Sequence, residues 1–167
     1  MSAGDALKQG FNFTMWKEQY DRMFRSFEKA KRSQIIVPHY AVGHSCPGPD
    51  QIDEVYACAQ NIYHLKDWVI STGVISKEDI YKFIDETESF KICEKICIGT
   101  KHLTTEFREG DISINIHLQD APYTQKGSWN KEFLYVVEYE GKKYRILELF
   151  EELMLKWQMF LKEKSVL

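Results

Sequence analysis

The 167-residue chain predicts an α+β, mainly α fold: a four- to five-helix bundle with a three-stranded antiparallel meander inserted before the C-terminal helix. Three observations carry that expectation. Apolar residues recur at helical spacing in several separate stretches between Thr14 and Leu103. After Gly110 the period switches to strict alternation, with Ile112, Ile114, Ile116 and Leu118 on one side and Ser113, Asn115 and His117 on the other. From Ile146 it returns to a helical period that runs to Leu161.

Taken in order, residues 1–13 are polar, hold two glycines and show no period, so they are expected to form a flexible N-terminal arm; residues 14–167 form a single helical-bundle domain with the β insert at about 111–146. The first helix opens at a Thr14 cap and buries Trp16, Tyr20, Met23 and Phe27, and its basic end, Lys29 to Arg32, suits the negative end of the helix dipole. Residues 34–50 hold three of the four prolines and read as a long connection after a short extended piece. The second helix starts at Asp50 or Asp53, carries a core stripe of Val55, Cys58, Ala59, Ile62, Leu65 and Val69, and is stopped by Gly73. Ser76 with Asp79 fits a capping box for a short third helix. Thr87 to Ser89 restart the chain as a fourth helix, whose central stretch Ile92 to Leu103 has two adjoining apolar stripes and a Gly99 that suggests close backbone approach. Strands follow at Ile112 to Leu118, Phe133 to Tyr139 and Lys143 to Arg145, the last two joined by a tight turn at Glu140-Gly141. The final helix places its acids first and its bases last, as the dipole prefers.

Composition narrows the functional classes. A formal charge of -3 provides no global field for nucleic acid or an anionic membrane. Neither a signal peptide nor an apolar run of membrane-spanning length is present, so a cytoplasmic protein is expected. Cys46, Cys58, Cys93 and Cys97 then read as free thiols, three of them in apolar helical stretches. His39, His44 and Cys46 lie close together, but their spacing matches no standard zinc pattern; no metal and no cofactor is expected.

No phosphate loop, nucleophile elbow, HExxH or paired CxxC occurs. The polar residues that stand out are four on the second helix, Asn61, His64, Asp67 and Trp68, and the pair Lys101-His102 at the end of the fourth. Asp67 is three residues beyond His64, near enough to orient its imidazole, and this flank is the candidate binding surface; a local, partly exposed hydrogen-bonded pair is the plainer reading. If the second and fourth helices packed so that this flank met the end of the fourth, two histidines and a lysine could bind a phosphate or act as acid and base in RNA cleavage.

The segments HLKDW (His64 to Trp68) and CEKICIGTKH (Cys93 to His102), followed by a hairpin and a Trp-bearing last helix, resemble a group of bacterial helical-bundle proteins of uncharacterised function over roughly residues 50–163. More distantly, a bundle with a histidine near a helix end is similar to the HEPN superfamily. That resemblance implies a ribonuclease of a toxin or phage-defence system, with His102 as acid or base and Lys101 or Lys95 as the phosphate contact. The segment before His102 has no arginine, where those ribonucleases use one.

Two functional classes therefore stand: an interaction or ligand-binding domain with an unknown protein or small-molecule partner, and the HEPN-like ribonuclease with RNA as substrate. A third, an assembly component, would show an exposed aromatic patch from Trp16, Trp129 or Trp157 and form a homodimer.

Overall fold

The computed structural model describes residues 3–34, 36–38, 49–101, 112–120 and 130–167. Five helices and four strands lie among them: α1 (Ala3–Ser33), β1 (Ile36–Pro38), α2 (Pro49–Thr72), α3 (Lys77–Asp85), α4 (Glu88–Lys101), β2 (Ser113–Asp120), β3 (Asn130–Tyr139), β4 (Lys142–Arg145) and α5 (Ile146–Glu163). The mainly helical α+β fold read from the sequence is the fold observed, with the antiparallel meander β2-β3-β4 directly before the last helix.

The first helix departs from expectation. It starts at Ala3 rather than Thr14, so the backbone of residues 3–13 is helical where the sequence suggested a loose arm. The physical reason is propagation. This segment has no proline, its glycines cost only about 1 kcal/mol each, and extending a nucleated helix adds one hydrogen bond per residue fixed. The side chains of the first fourteen residues, Phe11 and Phe13 included, lie outside the described ones.

The other boundaries follow their local signals. Gly73 ends α2 at φ +67, a left-handed conformation that favours glycine. Ser76 caps α3, its hydroxyl accepting from the Asp79 backbone N–H at 3.1 Å. Glu140 and Gly141 both adopt positive φ (50 and 74), the pattern of a two-residue type I′ hairpin turn between β3 and β4.

Strand β3 is the centre of the sheet. Along one edge it pairs with β2 in the register Ser113↔Glu138 to Asp120↔Lys131. Its other edge is shared by β1 near residue 131 and β4 near residue 138, so the short extended piece expected after α1 becomes a fourth, edge-sharing strand. Tyr135 fastens the sheet to the bundle, its hydroxyl donating to the Ser33 carbonyl at 3.2 Å and satisfying one of the carbonyls left open at the end of α1.

A single cluster of buried side chains links the helices to the inner face of β3: Trp16 and Met23 of α1, Ile62 and Leu65 of α2, Ile80 of α3, Phe90, Ile92 and Ile96 of α4, Tyr135 and Val137 of β3, and Phe150 and Trp157 of α5. The partly buried Phe83 packs against it and forms an aromatic group with Phe90, Trp157 and Phe160; Phe83 stacks on Phe160 at 4.2 Å and meets Trp157 edge-on at 5.1 Å. Trp16 and Trp157 are both 0% exposed. The exposed patch that an assembly component would need is therefore not supplied by these two residues; each lies on the buried stripe of its helix, as the helical period indicates, and Trp129 lies outside the described residues.

Candidate functional site

Helix directions follow from cross-bonds. Gln19 of α1 bonds to Asn61 of α2, while Ser26, two turns further on, reaches Cys58, so α1 and α2 are antiparallel. On α4, Phe90 packs on Trp157, whose indole bonds to Ile62; Cys93 donates its thiol to the Ala59 carbonyl at 3.4 Å, and Cys97 interacts with Cys58. Moving up α4 therefore moves down α2, and these two are antiparallel as well.

This orientation separates the residues singled out in the sequence. Lys101, one turn past Cys97, lies level with the first turns of α2, whereas His64 is about ten residues further along α2, or about 15 Å at 1.5 Å per residue. The Lys101 side chain and all of His102 lie outside the described residues, as do His39, His44 and Cys46. Lys95, the other proposed phosphate contact, has its ammonium 5.7 Å from the centre of the Tyr139 ring, against the sheet.

The second-helix flank forms as read, with local partners. His64 Nδ1 and Asp67 Oδ2 are 2.9 Å apart, on a partly exposed surface. Asn61 donates to the Ala57 carbonyl at 2.9 Å and accepts from Gln19 Nε2 at 3.1 Å, so its amide joins α2 to α1. Trp68 is partly buried against the core. Next to this flank the Tyr63 hydroxyl donates to Glu94 of α4, and the Lys66 ammonium sits 3.5 Å above the Tyr63 ring. Burial, then the hydrogen bond to Glu94 and the charge of that carboxylate, hold the Tyr63 phenol far above its ordinary range, so it stays a proton donor.

The three described cysteines, Cys58, Cys93 and Cys97, are buried and form no disulfide. Burial pushes the Cys58 thiol up to about 12, against a smaller opposing effect from the Ser26 hydroxyl. Burial likewise raises Cys93, helped by its Cys97 neighbour. Neither Cys58 nor Cys93 is poised as a nucleophile. Among the described residues no group of three His, Cys, Asp or Glu side chains could hold a metal ion, and no helix is long and apolar enough to cross a membrane.

A concave surface occurs elsewhere, where the end of α1 meets the start of β3 and the start of α5. A cavity of about 310 Å³ opens there over Phe27 and Leu147, rimmed by Lys31, Gln34, Glu132, Glu148 and Glu151. A neighbouring hollow of about 190 Å³ shares Gln34, Glu132, Leu147 and Glu148 and extends the groove over Leu134 and Tyr135 to Arg145. Gln34 donates to Glu132 across it, and Arg145 pairs with Glu148 at 3.0 Å. Among the described residues, three carboxylates face two cations along this rim, and Glu151 makes no ion pair. Sequence reading missed this groove. Its only local signal was the acidic first turn of α5, which helix-dipole complementarity already explained; the rest of the lining comes from α1 and β3, far away in the chain.

No family model, no curated protein and no solved structure matches this chain in comparisons with known proteins.

Proposed function

We propose that the protein is an interaction module whose α1–β3–α5 groove receives a short segment of a partner protein, an apolar side chain next to a basic one. The observation that carries this reading is the groove itself: an apolar floor of Phe27 and Leu147 beneath a rim whose described residues include more carboxylates than cations. Leu147 would hold the apolar anchor, and Glu148 and Glu151 would meet the cation at the first turns of α5. A cytoplasmic setting suits core thiols that form no disulfide.

The test is selection of a random displayed-peptide library on the immobilised protein. Enriched peptides should pair Lys or Arg with a large apolar residue and bind at least tenfold more weakly to Leu147→Asp and Glu148→Lys variants whose circular dichroism is unchanged. Enrichment of peptides without that pairing, or binding indifferent to both substitutions, would discard the groove as the binding site.

A further inference from the structure

The outer face of α5 carries a pattern that runs beyond the groove and shares only Glu151 with it. Leu155 and Met159, one turn apart, are 55% and 62% exposed on a helix whose other face is fully buried. Along the same stripe, at helical spacing, Glu151 lies one turn before Leu155 and Lys162 about one turn after Met159. Both charged residues are exposed, and neither makes an ion pair among the described residues. Other charges nearby are engaged: Lys156 with Glu152 at 3.0 Å, Lys164 with Asp79 at 3.1 Å and Arg145 with Glu148.

The stripe continues onto α1. Gln19 and Trp157 are both level with residues 61 and 62 of α2, whereas Phe27 and Lys31 line the groove with Leu147 and Glu151, so α1 and α5 are antiparallel. One turn from the groove on each helix, Phe24 and Leu155 follow, and Phe24 is 37% exposed on the same side of α1 as Lys31.

We propose that this stripe is the contact between two copies of the chain, packed as an antiparallel α5–α5 pair about a two-fold axis near residues 156 and 157. The charge order is the argument. Acid, apolar, apolar, base along one helix is complementary to itself when the second copy runs the other way: Glu151 of each copy faces Lys162 of the other, and Leu155 faces Met159. Antiparallel packing also opposes the two helix dipoles, and the flanking Phe24 residues widen the apolar area, which two helical turns alone would leave small for a stable dimer. The proposal shares Glu151 with the groove reading, so the Leu155 and Met159 substitutions, which lie outside the groove lining, test it without touching that reading.

Sedimentation velocity across a concentration series tests it. The parent protein should approach twice the 19.7 kDa chain mass as concentration rises. Leu155→Glu with Met159→Glu should remain at the single-chain mass with an unchanged circular dichroism spectrum. Glu151→Lys and Lys162→Glu should each weaken dimerisation roughly tenfold, since each turns two symmetry-related contacts from attraction into repulsion, and the two together should restore it. A parent that stays monomeric, a dimer indifferent to the Leu155 and Met159 changes, or a charge swap that fails to restore association would each overturn the proposal.

Discussion

The indole Nε1 of Trp157 donates a hydrogen bond to the carbonyl oxygen of Ile62 at 3.1 Å, joining the last helix to the second across 95 residues of chain. That carbonyl belongs to a helix and serves its own turn, so the indole adds a second bond in a fully buried place while its rings pack on Phe83 and Phe90. The bond and the packing are separable. Trp157→Phe removes the N–H and some volume, and should cost about 1–3 kcal/mol; Trp157→Ala also opens a cavity and should cost about 3–5 kcal/mol. Urea denaturation followed by far-ultraviolet circular dichroism measures both, and near-equal losses would show that packing contributes little.

The hairpin turn gives a prediction of opposite sign at adjacent residues. Glu140 is a non-glycine residue at positive φ, and Gly141 follows it at φ +74 with open space around the position of an added Cβ. Gly141→Ala is therefore penalised by backbone conformation and not by a clash, at about 1–2 kcal/mol, whereas Glu140→Asn should stabilise by a few tenths up to about 1 kcal/mol. Thermal unfolding of the two variants beside the parent checks the signs, and a neutral Gly141→Ala would contradict the turn assignment.

Asp79 connects the start of α3 to the end of α5. Hydrogen bonds from Lys164 and from Ser76 hold its carboxyl below the ordinary aspartate range. The folded pKa is depressed, so the stabilising contribution is present above the unfolded-state pKa and is lost as pH falls through the folded one. Lys164→Ala should raise the Asp79 pKa towards its ordinary value in a carboxyl-detected NMR titration. The stability gap between parent and variant should close in acid; a gap that stayed constant at low pH would assign it to something other than this pair.

The ribonuclease alternative is tested directly with purified protein and a mixed RNA pool, beside a folded His102→Ala variant. Under the interaction-module proposal the RNA survives both. Cleavage by the parent and none by the variant would replace that proposal with an acid–base role for His102.

The sequence by itself determined the elements, because their signals are local. The Ser76 cap, the Gly73 stop, the Glu140-Gly141 turn and the alternation from Ile112 each depend on a few neighbouring residues, and the structure keeps them all. The i,i+3 meeting of His64 with Asp67 was legible for the same reason. Only the tertiary structure decided how the elements lie against one another. Antiparallel packing of α4 on α2 carries Lys101 away from His64, and the groove brings Phe27, Glu132 and Leu147 together from three distant segments. Trp16 and Trp157, which the helical period places on apolar faces, fill the core, so neither supplies the exposed patch that an assembly component would need. Leu155 and Met159 fall off the core stripe of α5 by helical period alone; that no described neighbouring element then covers them is a property of the packed bundle, because it depends on the number and placement of the other helices.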